Sequence, residues 1–238
     1  MTSQHPDPMT AYTELGRIKL GETDLDGVLA RVADLAGQAV PGAVDVSVTL
    51  LRGMVPYTAA FTGHVALDLD TWQYRRGLGP SLAAAIDRMT VRVADTADEP
   101  RWPEWGRHAV ALGAHSSVSV WLPIQDQVTG ALNVYGAEAG VFDDESVQLA
   151  ETFADYAAVA MSNAHLYDTT ATLAHHMQAA MASRAVIEQA KGIIMGERRC
   201  SAEEAFAILT KVSQNSNRKV RDVAAALVVR AQRRAPRP

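Results

Sequence analysis

The sequence of 238 residues holds one cysteine, Cys200. A single thiol closes no intramolecular disulfide, so nothing argues for an oxidising compartment, and chemistry that needs two cysteines is excluded. Long apolar runs are missing as well, since no stretch approaches the roughly 20 residues that a membrane span requires. Met1 to Thr10 is polar and contains proline. It has neither the basic start nor the apolar stretch of a secretory signal, and residues 1–19 are expected to be a flexible N-terminus. These absences predict a cytoplasmic protein. Catalytic signatures are missing too. There is no phosphate-binding glycine loop, no local Ser-His-Asp arrangement and no paired-histidine metal motif. His175 and His176 are adjacent, so on a helix they point in different directions, while His64, His108 and His115 are scattered. Neither an enzyme nor a metal site is expected.

What is present begins with a divided charge. The net value of −5 conceals two opposite segments. Residues 181–238 carry 12 Lys and Arg against 5 Asp and Glu, a net +7, and the preceding residues carry 10 against 22, a net −12. A basic end on an acidic body suggests a segment that grips a polyanion and a body that stays off it. The alternative is a solvated basic tail, with Arg233, Arg234 and Arg237 near its end.

Periodicity gives the organisation. Leu25, Val28, Leu29, Val32, Leu35 and Ala36 recur at helical spacing, so 24–39 reads as an amphipathic helix, which Pro41-Gly42 ends. The period then changes to two. Val44, Val46, Val48 and Leu50 alternate with Asp45, Ser47 and Thr49, as in a half-buried strand, and 54–60 can return after Gly53. A loop-rich middle follows, with short helices predicted at 81–89 and 104–112. Val118, Val120, Leu122 and Ile124 resume the alternation, and a turn over Gln125 to Gly130 leads to a strand at 131–136. This order predicts an α+β domain over 20–160 with an antiparallel sheet and helices packed on one face.

Asp143 and Asp144 open a long helix. Val159, Leu166, Leu173, Ala180, Ile187 and Ile194 fall every seven residues, the spacing of a helix–helix seam. The accompanying row runs Thr170, Met177, Arg184 and Lys191, which limits the prediction to a helical linker or short coiled coil at 161–183. Gly196 to Cys200 breaks the helix. Ser201 and Glu204 have capping-box spacing ahead of Ala205, Phe206, Leu209 and Val212. Ser213 to Asn217 reads as a turn, and Val220, Val223, Ala224, Leu227 and Val228 form the apolar stripe of a third helix. Residues 184–238 therefore form an all-α, three-helix domain.

The strings SRAVIEQAKGIIMG (Ser183 to Gly196), CSAEEAFAIL (Cys200 to Leu209) and SQNSNRKVRDVA (Ser213 to Ala224) resemble an ANTAR domain, the RNA-binding antitermination module of bacterial regulators. Farther forward, TWQYRRGLGPSL (Thr71 to Leu82), VRVADTADEPRWP (Val91 to Pro103), SVSVWLPI (Ser117 to Ile124) and GALNVY (Gly130 to Tyr135) resemble a GAF sensor domain of the type joined to ANTAR in actinobacteria. Where relatives often carry cysteine after the Gly-Pro pair, this chain has Ser81. The resemblance implies a regulator that binds paired stem-loops in leader RNA and keeps a terminator from forming. A homodimer would present two such modules, and the second hairpin would bind at a raised effective concentration. The front domain has no cysteine, which argues against both a thiol-dependent sulfoxide reductase and a bilin photoreceptor.

Candidate sites follow. Arg184, Lys191 and Arg198 are seven apart on one helix stripe, interrupted by Glu188, while Arg218, Lys219 and Arg221 open the third helix, where free N–H groups favour phosphate. The resemblance makes these six the RNA contacts. The residues alone also permit a solvated face with Arg184–Glu188 and Arg218–Asp222 pairing. A DNA-binding helix-turn-helix and a protein-interaction dimer remain alternatives. For a small ligand in the front domain, the candidates are Gln73, Tyr74 and Ser81 in a stretch read as loop-like, with Asp95, Arg101 and Trp102 on a cavity wall and Trp105 nearby.

Overall fold

The computed structural model describes residues 8–125 and 128–234, which form two compact units divided between Asp168 and Thr169. In the first unit, β1 (Asp45–Arg52), β2 (Val55–Phe61), β3 (Val91–Val93), β4 (Ser116–Gln125) and β5 (Val128–Gly136) make an antiparallel sheet in the order β2-β1-β5-β4-β3. Strand β3 was not legible in the sequence, since three residues are too few to show an alternation. Residues 126 and 127, at the tip of the expected turn between β4 and β5, lie outside the described residues.

Alternation along the strands builds two different faces. Val46 and Val48 of β1 sit opposite Val134 and Leu132 of β5, and with Val118, Val120 and Leu122 of β4 they form the main core. Helix α1 (Pro8–Leu15), helix α2 (Leu25–Ala39) and the start of the long helix α6 (Asp144–Arg198) close over it through Ala11, Leu35, Phe153 and Met161. Burying one such large side chain is worth about 1.5–3 kcal/mol. Asp24 caps α2 by accepting from the Gly27 amide at 2.9 Å.

The N-terminus departs from the expected flexible lead-in. From Pro8 it is helical, Ala11 and Leu15 are buried in the core, and the Tyr12 hydroxyl donates to the Leu149 carbonyl at 3.1 Å. Residues 1–7 lie outside the described residues.

The opposite face of the sheet is covered as well, by α3 (His64–Arg76), α4 (Pro80–Asp87) and α5 (Pro103–Ala111). Leu69, Trp105 and Tyr135 pack there, as do Leu51, Ala84, Ala85 and Ala131. Helices thus flank both faces, not one, and β1 is buried on both sides up to Arg52 instead of half-buried. Helix α3 explains the discrepancy. Its buried face is Ala66, Leu69, Asp70 and Gln73. Half of those positions are polar, so no apolar stripe marks the helix in the sequence.

In the second unit α6 continues through Gly196 to Arg198, and Arg199 ends it at φ 53°. Helix α7 (Ala202–Ser216) begins with the expected capping box. The Glu204 amide donates to Ser201 Oγ at 3.2 Å, and the Ser201 amide donates to Glu204 Oε2 at 2.8 Å. Ser213 to Ser216 form the last turn of α7 and not a connection; Asn217, at φ 49°, makes the turn into α8 (Val220–Arg234). Ala190, Ile194, Ala205, Leu209, Val223 and Ala224 form a small core, and Cys200 packs half-buried against it. Arg237 lies outside the described residues.

So small a core leaves little reserve, and single caps matter. Ser201→Ala is expected to destabilise the second unit by about 1 kcal/mol. For a domain of this size that is a fall of about 4–8 °C in its midpoint, read by hydrogen exchange of residues in α7 during a thermal series.

Candidate functional site

The covered face of the sheet carries a buried polar floor. Ser47, Asn133 and Ser119 stand in one row across β1, β5 and β4, with Ser47 opposite Asn133 and Asn133 opposite Ser119. Ser117 lies opposite Tyr135 in the adjoining row. All five are fully buried. From above, α3 contributes Asp70 and, one turn on, Tyr74. Asp70 Oδ2 accepts from Thr58 Oγ1 at 2.8 Å, Tyr74 OH at 3.3 Å and Thr49 Oγ1 at 3.5 Å, and Oδ1 accepts from Tyr135 OH at 3.2 Å. Asn133 Nδ2 donates to Ser47 Oγ at 3.1 Å and Thr49 Oγ1 at 3.0 Å.

Gln73 and Ser81 close one end. The Ser81 amide donates to Gln73 Oε1 at 2.9 Å, and Ser81 Oγ meets Thr49 Oγ1 at 2.9 Å. Gly79 permits this closure. It stands at φ +136°, and a Cβ there would come within 2.3 Å of Gln73 Oε1. Glycine meets both the backbone angle and the close approach without strain.

Burial dominates the electrostatics. It pushes the Asp70 carboxyl up to about 6, against the hydrogen bonds from Thr58, Ser47, Tyr135 and Tyr74 that favour its charged form. Burial and then the Asp70 charge push the Tyr74 and Tyr135 phenols above their ordinary range. Three side-chain atoms of the floor, Ser117 Oγ, Ser119 Oγ and Asn133 Oδ1, are buried without a hydrogen-bond partner, as is Trp105 Nε1, which packs in the same layer as Tyr135. Each unmade bond costs about 1–3 kcal/mol. Their concentration in one place marks groups suited to hydrogen-bond a small polar molecule. Among the described residues, no cluster of His, Cys, Asp and Glu is arranged to hold a metal ion.

The structure therefore brings Gln73, Tyr74 and Ser81 together, on helices instead of the loop expected for them. It does not bring Asp95 or Arg101 to them. Asp95 is exposed and caps the short 3-10 turn Thr96–Asp98 by accepting from the Ala97 amide at 2.8 Å. Arg101 binds both oxygens of the buried Glu99 at 2.7–2.8 Å, donates to the Arg92 carbonyl at 2.8 Å and lies over the Trp102 ring at 4.7 Å. Trp102 is half-buried against the apolar clusters of this layer. Sequence reading missed Asp70, Tyr135, Asn133 and the serines. The available signal was the polar set Ser47, Thr49, Ser117 and Ser119 at alternate strand positions, which reads equally as a solvated face.

In the second unit Arg184, Arg198, Arg218, Lys219 and Arg221 are exposed. Lys191 is not equivalent to them: its side chain is 17% exposed and its ammonium donates to both oxygens of Glu188 at 3.0 Å. Glu188 is thereby paired with Lys191, not with Arg184. The Arg218 guanidinium reaches the Asp222 carbonyl at 3.3 Å, and the Asp222 carboxylate pairs with Arg221 at 3.5 Å.

The first unit is thus an antiparallel sheet with helices on both faces and a buried polar floor, and the second is a basic three-helix unit. The chain belongs to the GAF domain family, which residues 22–162 match, and residues 175–228 match the ANTAR domain. It is a GAF and ANTAR domain-containing regulator: GAF is a sensor domain and ANTAR an RNA-binding antitermination domain.

Solved structures share the fold of the first unit. The GAF domain of a phosphoenolpyruvate-protein phosphotransferase from Coxiella burnetii superposes with a TM-score of 0.52 at 17% identity, covering 70% of this chain and 99% of that one. A free methionine-R-sulfoxide reductase from Neisseria meningitidis, in complex with its substrate, gives 0.52 at 17% identity, covering 72% and 95%. The phycocyanobilin-bound GAF domain of a cyanobacterial phytochrome gives 0.51 at 15% identity, covering 67% and 96%. Among curated proteins no match is found. No helix among the described residues is long and apolar enough to cross a membrane.

Proposed function

We propose that this protein is a cytoplasmic antiterminator that binds paired stem-loops in leader RNA through residues 184–238, under the control of a small polar ligand held in residues 20–160. The observation that carries the RNA part is the exposed basic set Arg184, Arg198, Arg218, Lys219 and Arg221 within the ANTAR match. Lys191, tied to Glu188, is the weakest of the six candidates.

The ligand reading rests on the polar floor. Gln73, Tyr74 and Ser81 are its predicted members, and Asn133, Ser117 and Ser119 present the unpaired atoms. Neutral hydroxyls and amides around one carboxyl suit an uncharged, hydrogen-bonding ligand. No cysteine lies in residues 22–162, so that domain lacks both the thiols of a sulfoxide reductase and the usual attachment point of a bilin. We therefore read the domain as a non-catalytic sensor. Asp95, Arg101 and Trp102 belong in this reading to the wall that holds β3 and α5, not to the ligand contacts.

The seam at 161–183 supports a homodimer. Leu173 of one seven-residue row and Met177 of the accompanying row are 59% and 58% exposed, and apolar side chains at this spacing gain by pairing with a second copy.

The test is sequencing of RNA that copurifies with the protein, followed by titration of the recovered leader stem-loops and of duplex DNA at matched salt. Short twin hairpins upstream of terminators, bound at least tenfold more tightly than duplex DNA, are the expected result. Equal affinity for the two would replace this reading with a DNA-binding one.

A further inference from the structure

Where the three helices of the second unit meet, they leave a cavity of about 530 Å³. Its lining is mixed: Ile208, Val212 and Leu227 are among its apolar walls, and Ser216, Arg198, Arg218 and Arg230 line it against a single acid, Glu197. A second hollow of about 730 Å³ runs along α8 and shares Arg218, Ala226 and Arg230 with the first, adding Arg233. Among the described residues neither Arg198 nor Arg230 has an ion-pair partner. Val212 and Val229 are 46% and 47% exposed at these hollows.

A recess with apolar walls, lined by guanidinium groups that have no ion-pair partner among the described residues, fits a flat body with greasy faces and anionic linkers. That is the chemistry of an unstacked nucleobase between its phosphates. Guanidinium groups bind phosphate in a forked geometry and stack on base planes. Covering the exposed valines adds the burial of apolar surface. A base inside a duplex is stacked on both faces and cannot enter such a recess, whereas a loop base can be splayed into it.

We propose that this cavity receives one unstacked base of an RNA loop, with Arg198, Arg218 and Arg230 on the flanking phosphates. The proposal rests on the RNA-binding reading above and deepens it. The cavity would tell a loop from a helix, while Lys219, Arg221 and Arg233 contribute charge. Arg230 joins the RNA contacts on this account, although no motif or spacing in the sequence singles it out.

The test uses the full chain and a synthetic RNA stem-loop in which each loop base in turn is replaced by 2-aminopurine or by an abasic residue. One loop position is expected to change its 2-aminopurine fluorescence on binding, and the abasic RNA at that position is expected to bind about tenfold more weakly, the usual effect of losing one stacked base. The Ala226→Phe variant fills the cavity from an exposed helical position without altering charge. It is expected to bind base-bearing and abasic stem-loops alike. If every abasic stem-loop binds the natural chain as well as its parent, or if Ala226→Phe keeps the preference for the base, no base enters the cavity. A change in the sedimentation of Ala226→Phe would assign the cavity to a second copy of the chain and overturn the proposal. Failure of the natural chain to prefer any stem-loop over blunt duplex RNA would instead remove the RNA reading itself.

Discussion

The Asp70→Asn variant is expected to lose a step in the pH dependence of stability that the natural chain shows between about pH 4 and pH 6. An unfolded aspartate titrates near 3.9, whereas burial raises Asp70 to about 6 in the folded chain. Below pH 4 the carboxyl is neutral in both states and costs nothing. As pH rises from 4 to 6, the unfolded chain gives up this proton first. The folded state then holds more protons than the unfolded state, and stability falls. Above about pH 6 both states are ionised and the penalty is constant. A difference of that size between the folded and unfolded carboxyl corresponds to roughly 3 kcal/mol. Asparagine carries no charge to bury. Its amide can donate to the hydroxyls of Thr58 and Tyr74, which turn to accept, while its oxygen accepts from Tyr135. The variant should therefore be more stable than the natural chain at pH 7.5 and close to it at pH 4. Urea unfolding followed by tryptophan fluorescence measures this directly, because all four tryptophans, Trp72, Trp102, Trp105 and Trp121, lie in the first unit. Parallel stability curves for the two proteins would show that Asp70 is not the buried group that titrates.

That carboxyl also shows where sequence reading stopped. The main core was legible because Val46, Val48, Val118, Val120 and Leu122 keep strict alternation and because α2 carries a clean apolar stripe buried against them. The second unit was legible for the same reason, together with the Ser201–Glu204 cap. The polar floor was not. Alternate polar residues on a strand face water by default, and nothing local in Ser47, Thr49, Ser117 or Ser119 says that helices cover them. The information sits in α3, whose buried face is itself polar at Asp70 and Gln73. A periodicity test reads that face as exposed. Gln73, Tyr74 and Ser81 were found as polar groups in a stretch read as loop-like, and the same reading pointed at Asp95 and Arg101, two residues whose side chains serve the local turn and the Glu99 clamp. Helix α1 was missed because two buried side chains, Ala11 and Leu15, hold it, too few to set a pattern.

Simultaneous replacement of Arg218, Lys219 and Arg221 by alanine is expected to weaken stem-loop binding by roughly a hundredfold at low salt, while leaving the fold intact. Each cation lost removes a charge-assisted contact worth about 1 kcal/mol or more, and about 3 kcal/mol is roughly a factor of a hundred. The folded state loses little. All three side chains are exposed, the Arg221–Asp222 pair at 3.5 Å is solvated, and such pairs contribute about 0–1 kcal/mol. The salt dependence carries the discriminating signal. Each phosphate contact contributes about −0.7 to −0.9 to the slope of log affinity against log salt, so three lost contacts flatten it by about 2 to 3. A loss of affinity with an unchanged slope would mean that these residues shape the module without touching phosphate. If affinity and slope both stayed at the natural values, Arg184, Arg198 and Arg230 would have to carry the contact, and the RNA would lie along the end of α6 and the far half of α8 instead of at the start of α8.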